Sequence, residues 1–275
     1  MLKKLLKYDW KFFWKVPAVI NLGIGILTLL GVMSMVSPLW TIDSSPIEAL
    51  LGTSLFFYYI ALFAGSIGVS VYAAIRFYKN IYTDEGYLTN TLPVTPRLII
   101  LSKLLVSSLW NLITGFVILS SVAILLTAGE FIYLDLDVVT VFSWIPYVWD
   151  GFWALLADYG LHPFAVAFLG FLYIISSSLF NMLLIYAAIS LGQMFPRHKI
   201  MGAIFWYILE YVIIQFGSTI LISIVTFGYY NYITSDTLFP SLYTLLVGSI
   251  LLTLAGCAGL YFISEYMLAK KLDLD

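Results

Sequence analysis

Six runs of apolar residues, each at or above the ~20 residues that a hydrocarbon core requires, constrain this chain more than any other feature. They are Val16–Val36, Ala49–Ile75, Leu104–Ala128, Phe164–Phe195, Ile200–Phe227 and Leu242–Ile263. Inside a bilayer no water satisfies backbone N–H and C=O groups, so such runs are expected to be helices whose hydrogen bonds close within the segment. The predicted fold is all-α, a polytopic membrane protein with six transmembrane helices in a single domain covering residues 1–275. Only 10% of the residues are charged, whereas soluble domains carry about 25%. The two longest runs leave room for tilt or for starts in the headgroup region, so their ends are set only to within several residues.

The segment before the first span, residues 1–15, reads as an interfacial helix. Lys3, Lys4, Lys7, Lys11 and Lys15 fall on one side of a helical wheel, and Leu2, Leu5, Leu6, Trp10, Phe12 and Phe13 on the other. Asp9 lies on the apolar side and breaks the pattern; pairing with a neighbouring span is the expectation. A signal peptide would have an apolar region of roughly 7–15 residues and a small-residue cleavage site. Val16–Val36 is longer, and the first span is read as retained.

Charge sets the orientation. With the N-terminus in the cytosol, all 13 Lys and Arg residues fall on inside segments. The outside loops hold only acids: Asp43, Glu48, Glu130, Asp135, Asp137, Asp150, Asp158 and Asp236. The positive-inside rule then puts both termini in the cytosol, in a multi-pass protein of the cell membrane. The outer loop, residues 129–163, carries Ile145, Val148, Trp149, Phe152, Leu155, Leu156 and Tyr159 at helical spacing. An amphipathic helix in the outer leaflet boundary is expected there, since Trp and Tyr favour that depth. Its acids would either attract a cationic substrate or form a solvated face kept free of Lys and Arg by topology.

The cytosolic loop, residues 76–103, is the main site of interest. Asp84 and Glu85 suit a helix N-terminus, while Pro93 and Pro96 would end a short helix begun there. Glu85-Gly86, Leu88, Leu92-Pro93-Val94-Thr95-Pro96-Arg97 and, six residues on, Lys103-Leu104 together resemble the first cytoplasmic loop of ABC-2-type permeases, the transmembrane subunits of bacterial ABC exporters. The likeness is carried by about 20 residues. Tyr87 stands where that family usually has Thr, and Ser102 where Gly often precedes the Lys. The resemblance implies a coupling helix over residues 82–93, with Asp84, Glu85, Gly86, Tyr87, Leu88, Leu92 and Pro93 as its ATPase-coupling residues.

Catalytic chemistry on this chain itself is not expected. No Gly is followed by Lys, so the Gly-Lys-Ser/Thr ending of a phosphate loop is absent. Ser190-Leu191-Gly192-Gln193 has a superficial likeness to an ABC signature, but it ends an apolar span and is read as coincidence. His162 and His198 are predicted on opposite sides of the membrane and cannot share a metal. Cys257, the one cysteine, lies within an apolar run and is read as an inert thiol. Glu210 is the ionisable residue deepest in a span, 11 residues beyond Lys199, or ~16 Å along a helix. A charge there costs at least ~2.5–3.5 kcal/mol on insertion scales, so the side chain should face protein or water, or be neutral. Asn181, with Ser176, Ser177 and Ser178, is at comparable depth. A polar clasp between helices, a substrate path and a dimer interface are the readings this leaves. Small residues at spacing four, Ala64 with Gly68 and Ala255 with Gly259, permit close helix approach.

Two functions from different classes follow. The resemblance implies a permease subunit working with separate ABC ATPase chains that carry ATP and Mg, and with a second permease copy or paralogue. Hydrophobic or amphipathic cargo, such as antimicrobial or toxin-like peptides or lipids, would be extruded. The bilayer is the remaining partner, and no nucleic acid is expected. The other reading is an ion- or proton-coupled secondary carrier using Glu210, although paired inverted repeats and broken helices are not visible. An intramembrane enzyme is disfavoured, because no second ionisable residue is predicted near Glu210.

Overall fold

The structure, a computed structural model, describes residues 2–35, 45–83, 86, 94–133, 138–158, 161–195, 197–229 and 235–270. Eight helices account for nearly all of these: α1 (Leu2–Phe13), α2 (Lys15–Met35), α3 (Ser45–Tyr82), α4 (Pro96–Tyr133), α5 (Val138–Asp158), α6 (Pro163–Gly192), α7 (Lys199–Tyr229) and α8 (Ser235–Lys270). Six of them, α2, α3, α4, α6, α7 and α8, are long and apolar enough to cross a membrane. The chain is therefore a multi-pass, all-helical membrane protein among its described residues.

Four of the spanning helices, α3, α4, α7 and α8, outrun the apolar runs that predicted them. α3 and α4 each have 38 residues, about 57 Å at 1.5 Å per residue, against a hydrocarbon core of ~30 Å. Hydropathy marks only the stretch that must be apolar, whereas a helix continues through the headgroup layer wherever its sequence permits. The polar segment between the second and third spans shortens accordingly. Arg76 and Lys79 belong to α3, and Arg97 and Lys103 to α4, leaving residues 83–95 as the link between these two helices. Pro96 begins α4; its missing N–H would be unsatisfied in a first turn anyway.

α1 is amphipathic, with Lys3, Lys4, Lys7 and Lys11 exposed and Leu2, Leu5 and Leu6 half-buried. A helix also occupies the predicted outer loop: α5 contains Pro146 and exposes Tyr147, Val148, Trp149 and Phe152 while burying Leu156.

Two compact units divide the chain. The smaller combines Lys11–Tyr72 with Trp110–Phe152. Its core joins Ile24 of α2, Tyr58 and Leu62 of α3 and Leu125 of α4. Lipid tails are as apolar as these side chains, so packing and hydrogen bonds, more than expulsion of water, hold such helices together. The Thr28 and Ser121 hydroxyls lie 2.6 Å apart, and the Tyr58 hydroxyl also meets Ser121. Gly65 and Gly68 let α2 approach, with Ile24 and Ile20 at 3.0 and 3.5 Å from where a Cβ would stand.

The larger unit combines Met1–Trp10, Ala73–Leu109 and Trp153–Asp275, and in it α6, α7 and α8 pack on one another. Gly192 permits a close approach of backbones: a Cβ there would lie 2.5 Å from the Ala203 nitrogen of α7. That gives the Ser190-Leu191-Gly192-Gln193 run a structural purpose, the tight turn from α6 to α7. On α8 the close-approach residue is Gly256, against the Phe180 ring, whereas Gly259 has open space around it.

Candidate functional site

Of the seven residues assigned to the coupling segment, Gly86 lies among the described residues. Asp84, Glu85, Tyr87, Leu88, Leu92 and Pro93 lie outside them. Gly86 donates its N–H to the Thr83 carbonyl at 2.7 Å. A Cβ at this position would stand 2.2 Å from the Ile81 carbonyl oxygen, a contact only glycine avoids without moving backbone. Thr83 in turn donates its hydroxyl to the Lys79 carbonyl at 2.7 Å. The chain thus turns tightly against the end of α3.

On both sides of this link, side chains of the larger unit tie the helix ends together. Tyr82, the last residue of α3, donates its hydroxyl to Ser190 of α6 at 3.0 Å, and Ser190 donates to the Tyr186 carbonyl at 2.8 Å. Tyr186 stacks on Phe77 of α3, with ring centroids 3.8 Å apart and planes 8° from parallel. The Tyr186 hydroxyl donates to Ser107 of α4 at 2.8 Å. Phe77, Tyr82, Ser107, Tyr186 and Ser190 are all buried. Buried polar groups are costly unless paired, and here each hydroxyl finds a partner on another helix or its own.

The first turns of α4 carry two charge contacts. Asp9 of α1 accepts from the Ser102 hydroxyl at 2.7 Å and from the Lys103 ammonium at 3.2 Å. The side chains of Lys103 and Asp9 are only 10% and 20% exposed, so the pair is largely shielded from water. Asp9, the acid that breaks the apolar face of α1, therefore does pair with a neighbouring span. Arg97 makes the second contact, its Nε 2.5 Å from Oε1 of Glu265 on α8. Sequence reasoning had singled out neither Glu265 nor Tyr186. An acid near the end of α8 and a tyrosine inside an apolar run were the available signals, but neither names its partner.

The intramembrane polar residues are not brought together as a clasp. Ser177 donates to the Tyr173 carbonyl of its own helix. Ser178 instead reaches across to the Ser108 carbonyl of α4 at 2.9 Å, and Ser176 accepts from Thr253 of α8 at 3.4 Å. Asn181 is exposed on α6. Glu210 is buried on α7, and neither carboxylate oxygen has a hydrogen-bond partner among the described residues.

No group of three His, Cys, Asp or Glu side chains is placed to hold a metal ion among the described residues. His162 and His198 are exposed, and each uses its backbone carbonyl to start a helix, accepting from Ala165 and Gly202, both at 2.9 Å. The arrangement therefore ties α1, α3, α4, α6 and α8 of the larger unit at one end, where α3 finishes and α4 begins. No family model, curated protein or solved structure matches this chain.

Proposed function

We propose that this chain is the membrane-spanning permease subunit of an ATP-driven ABC exporter, pairing with separate ATPase chains and a second permease. The observation that carries this reading is the anchoring of both ends of the 83–95 link. Its entry is held by Tyr82 on Ser190 of α6, and the helix at its exit by Asp9 on Lys103 and Glu265 on Arg97. A partner that pushed on such a link would move α3 and α4 directly, because side-chain ties leave little slack for the displacement to be lost locally. Bistable packed elements transmit motion in this way. The charge pattern supports a cytosolic position for the link, and the sequence likeness to the coupling loop of ABC-2 permeases supports ATPases as the partner.

Hydrophobic or amphipathic cargo, peptides or lipids, fits a chain whose described surface is dominated by apolar side chains. Affinity capture of the full chain from its native membrane in mild detergent, followed by mass spectrometry, tests the proposal. A phosphate-loop ATPase should copurify, and replacing Glu85 and Leu88 should release it. Clean capture with no ATPase, from membranes whose other ATPase complexes survive, would refute it.

One observation favours a second reading. Glu210 is a buried carboxyl within a membrane-spanning helix, with no hydrogen-bond partner among the described residues, and ionisable side chains inside spans mark ion pathways and proton relays. Loss of proton flux in Glu210→Gln would favour a proton- or ion-coupled carrier.

A further inference from the structure

An open groove of about 670 Å³ lies in the larger unit at the end where α3 and α6 finish and α4 begins. Its walls are almost wholly carbon, from Leu191 of α6, Met194 in the turn just after it, and Phe262 and Tyr266 of α8. Arg97 and Glu265 are the charged members of its lining. Met194, Phe262 and Tyr266 are exposed, and Phe262 and Tyr266 belong to a helix long and apolar enough to span the membrane. The groove is therefore open to the outside of the unit at the end of a membrane-spanning helix, the level of lipid head groups on this reading.

We propose that this groove holds one zwitterionic phospholipid of the adjoining leaflet, of the phosphoethanolamine type. Its volume, about 670 Å³, is that of a small-ligand site, room for the head and the upper part of the acyl chains of one lipid while the rest stays in the bilayer. An acyl chain gains no hydrophobic free energy on passing from bilayer to groove, because both are equally apolar. Selectivity must then come from the head. Arg97 engages Glu265 through Nε alone, and its side chain is 67% exposed. The two terminal NH₂ groups of its guanidinium remain for a phosphodiester, which they match as a fork. Glu265 presents a carboxylate beside that phosphate position, the complement of an ammonium. The pair is net neutral, so it matches a head carrying both charges, whereas a purely anionic head would meet repulsion from Glu265. The inference goes beyond the exporter reading and does not rest on it.

The test places the full chain in nanodiscs of equimolar phosphatidylethanolamine and phosphatidylglycerol, then counts retained lipids by native mass spectrometry. One phosphatidylethanolamine per chain should survive detergent release in preference to phosphatidylglycerol. Arg97→Gln should lower its retention about tenfold, the loss expected for roughly one charge-assisted hydrogen bond. Met194→Trp, which fills the groove from a half-exposed wall, should abolish retention, while Glu265→Gln should erase the preference between the two lipids. Arg97 is exposed, so its variant keeps the test valid if the Trp variant misfolds. Equal retention in wild type and Arg97→Gln, or a preference for phosphatidylglycerol, would overturn the proposal. A dimer that Met194→Trp dissociates, with no lipid retained, would assign the groove to a second copy and also overturn it.

Discussion

Tyr186 gives the sharpest stability prediction. Its ring stacks on Phe77 at 3.8 Å and its hydroxyl donates to Ser107 at 2.8 Å, with both ring residues buried to 2% exposure. Two substitutions separate these contributions. Tyr186→Phe keeps the stack and removes the hydroxyl, at a cost of about 0.5–1.5 kcal/mol for one hydrogen bond. Tyr186→Ala removes the stack as well and leaves a cavity beside Phe77, and buried aromatic-to-alanine changes cost about 3–5 kcal/mol. The aromatic pairing alone contributes ~0.5–1.5 kcal/mol of that. The alanine variant should therefore shift the folding equilibrium by roughly two to three and a half decades, the phenylalanine variant by about one or less. Equilibrium unfolding in mixed micelles, followed by the fluorescence of the chain's eight tryptophans, reads both. Equal destabilisation by the two variants would refute the reasoning, since it would mean that the stacked ring contributes nothing beyond its hydroxyl.

Three further outcomes are expected. Asp9→Ala removes the carboxylate that the shielded Lys103 ammonium meets and should cost roughly 2–4 kcal/mol, between the exposed-pair and buried-pair limits; a cycle with Lys103→Met would recover most of it, and additivity of the two changes would contradict the pairing. Gly86→Ala must displace backbone at the end of α3, because the added carbon would stand 2.2 Å from the Ile81 carbonyl oxygen. Overpacking of this kind costs about 1–3 kcal/mol, and stimulated ATPase activity in the reconstituted complex should fall while membrane insertion is kept; unaltered coupling would count against a tight turn at this point. Glu210→Gln loses no hydrogen bond made to a described residue and should change unfolding by less than about 1 kcal/mol, and on the exporter reading cargo transport continues. Abolished transport in a stably folded variant would move the assignment to the carrier.

The separation between charges explains why some contacts were legible in the sequence and others were not. Asp9 stood out as an acid on an apolar helical face, yet its partner Lys103 lies 94 residues away, and no local pattern points across that distance. Ser190 was noticed for a superficial likeness to an ATPase signature, while its place between Tyr82 and Tyr186 depends on how α3 and α6 meet. Asn181 and Glu210 were matched by depth alone. Depth along a helix does not specify the face, and the structure leaves Asn181 exposed and Glu210 buried.

The class of fold and the number of spans were determined by sequence alone, because a bilayer demands long apolar helices and leaves few alternatives. Tertiary structure decided where those helices end, which polar side chains share hydrogen bonds, and how the helices flanking residues 83–95 are held. Those properties depend on facing and distance between segments remote in the chain. Hydropathy records only what each segment must hide from water.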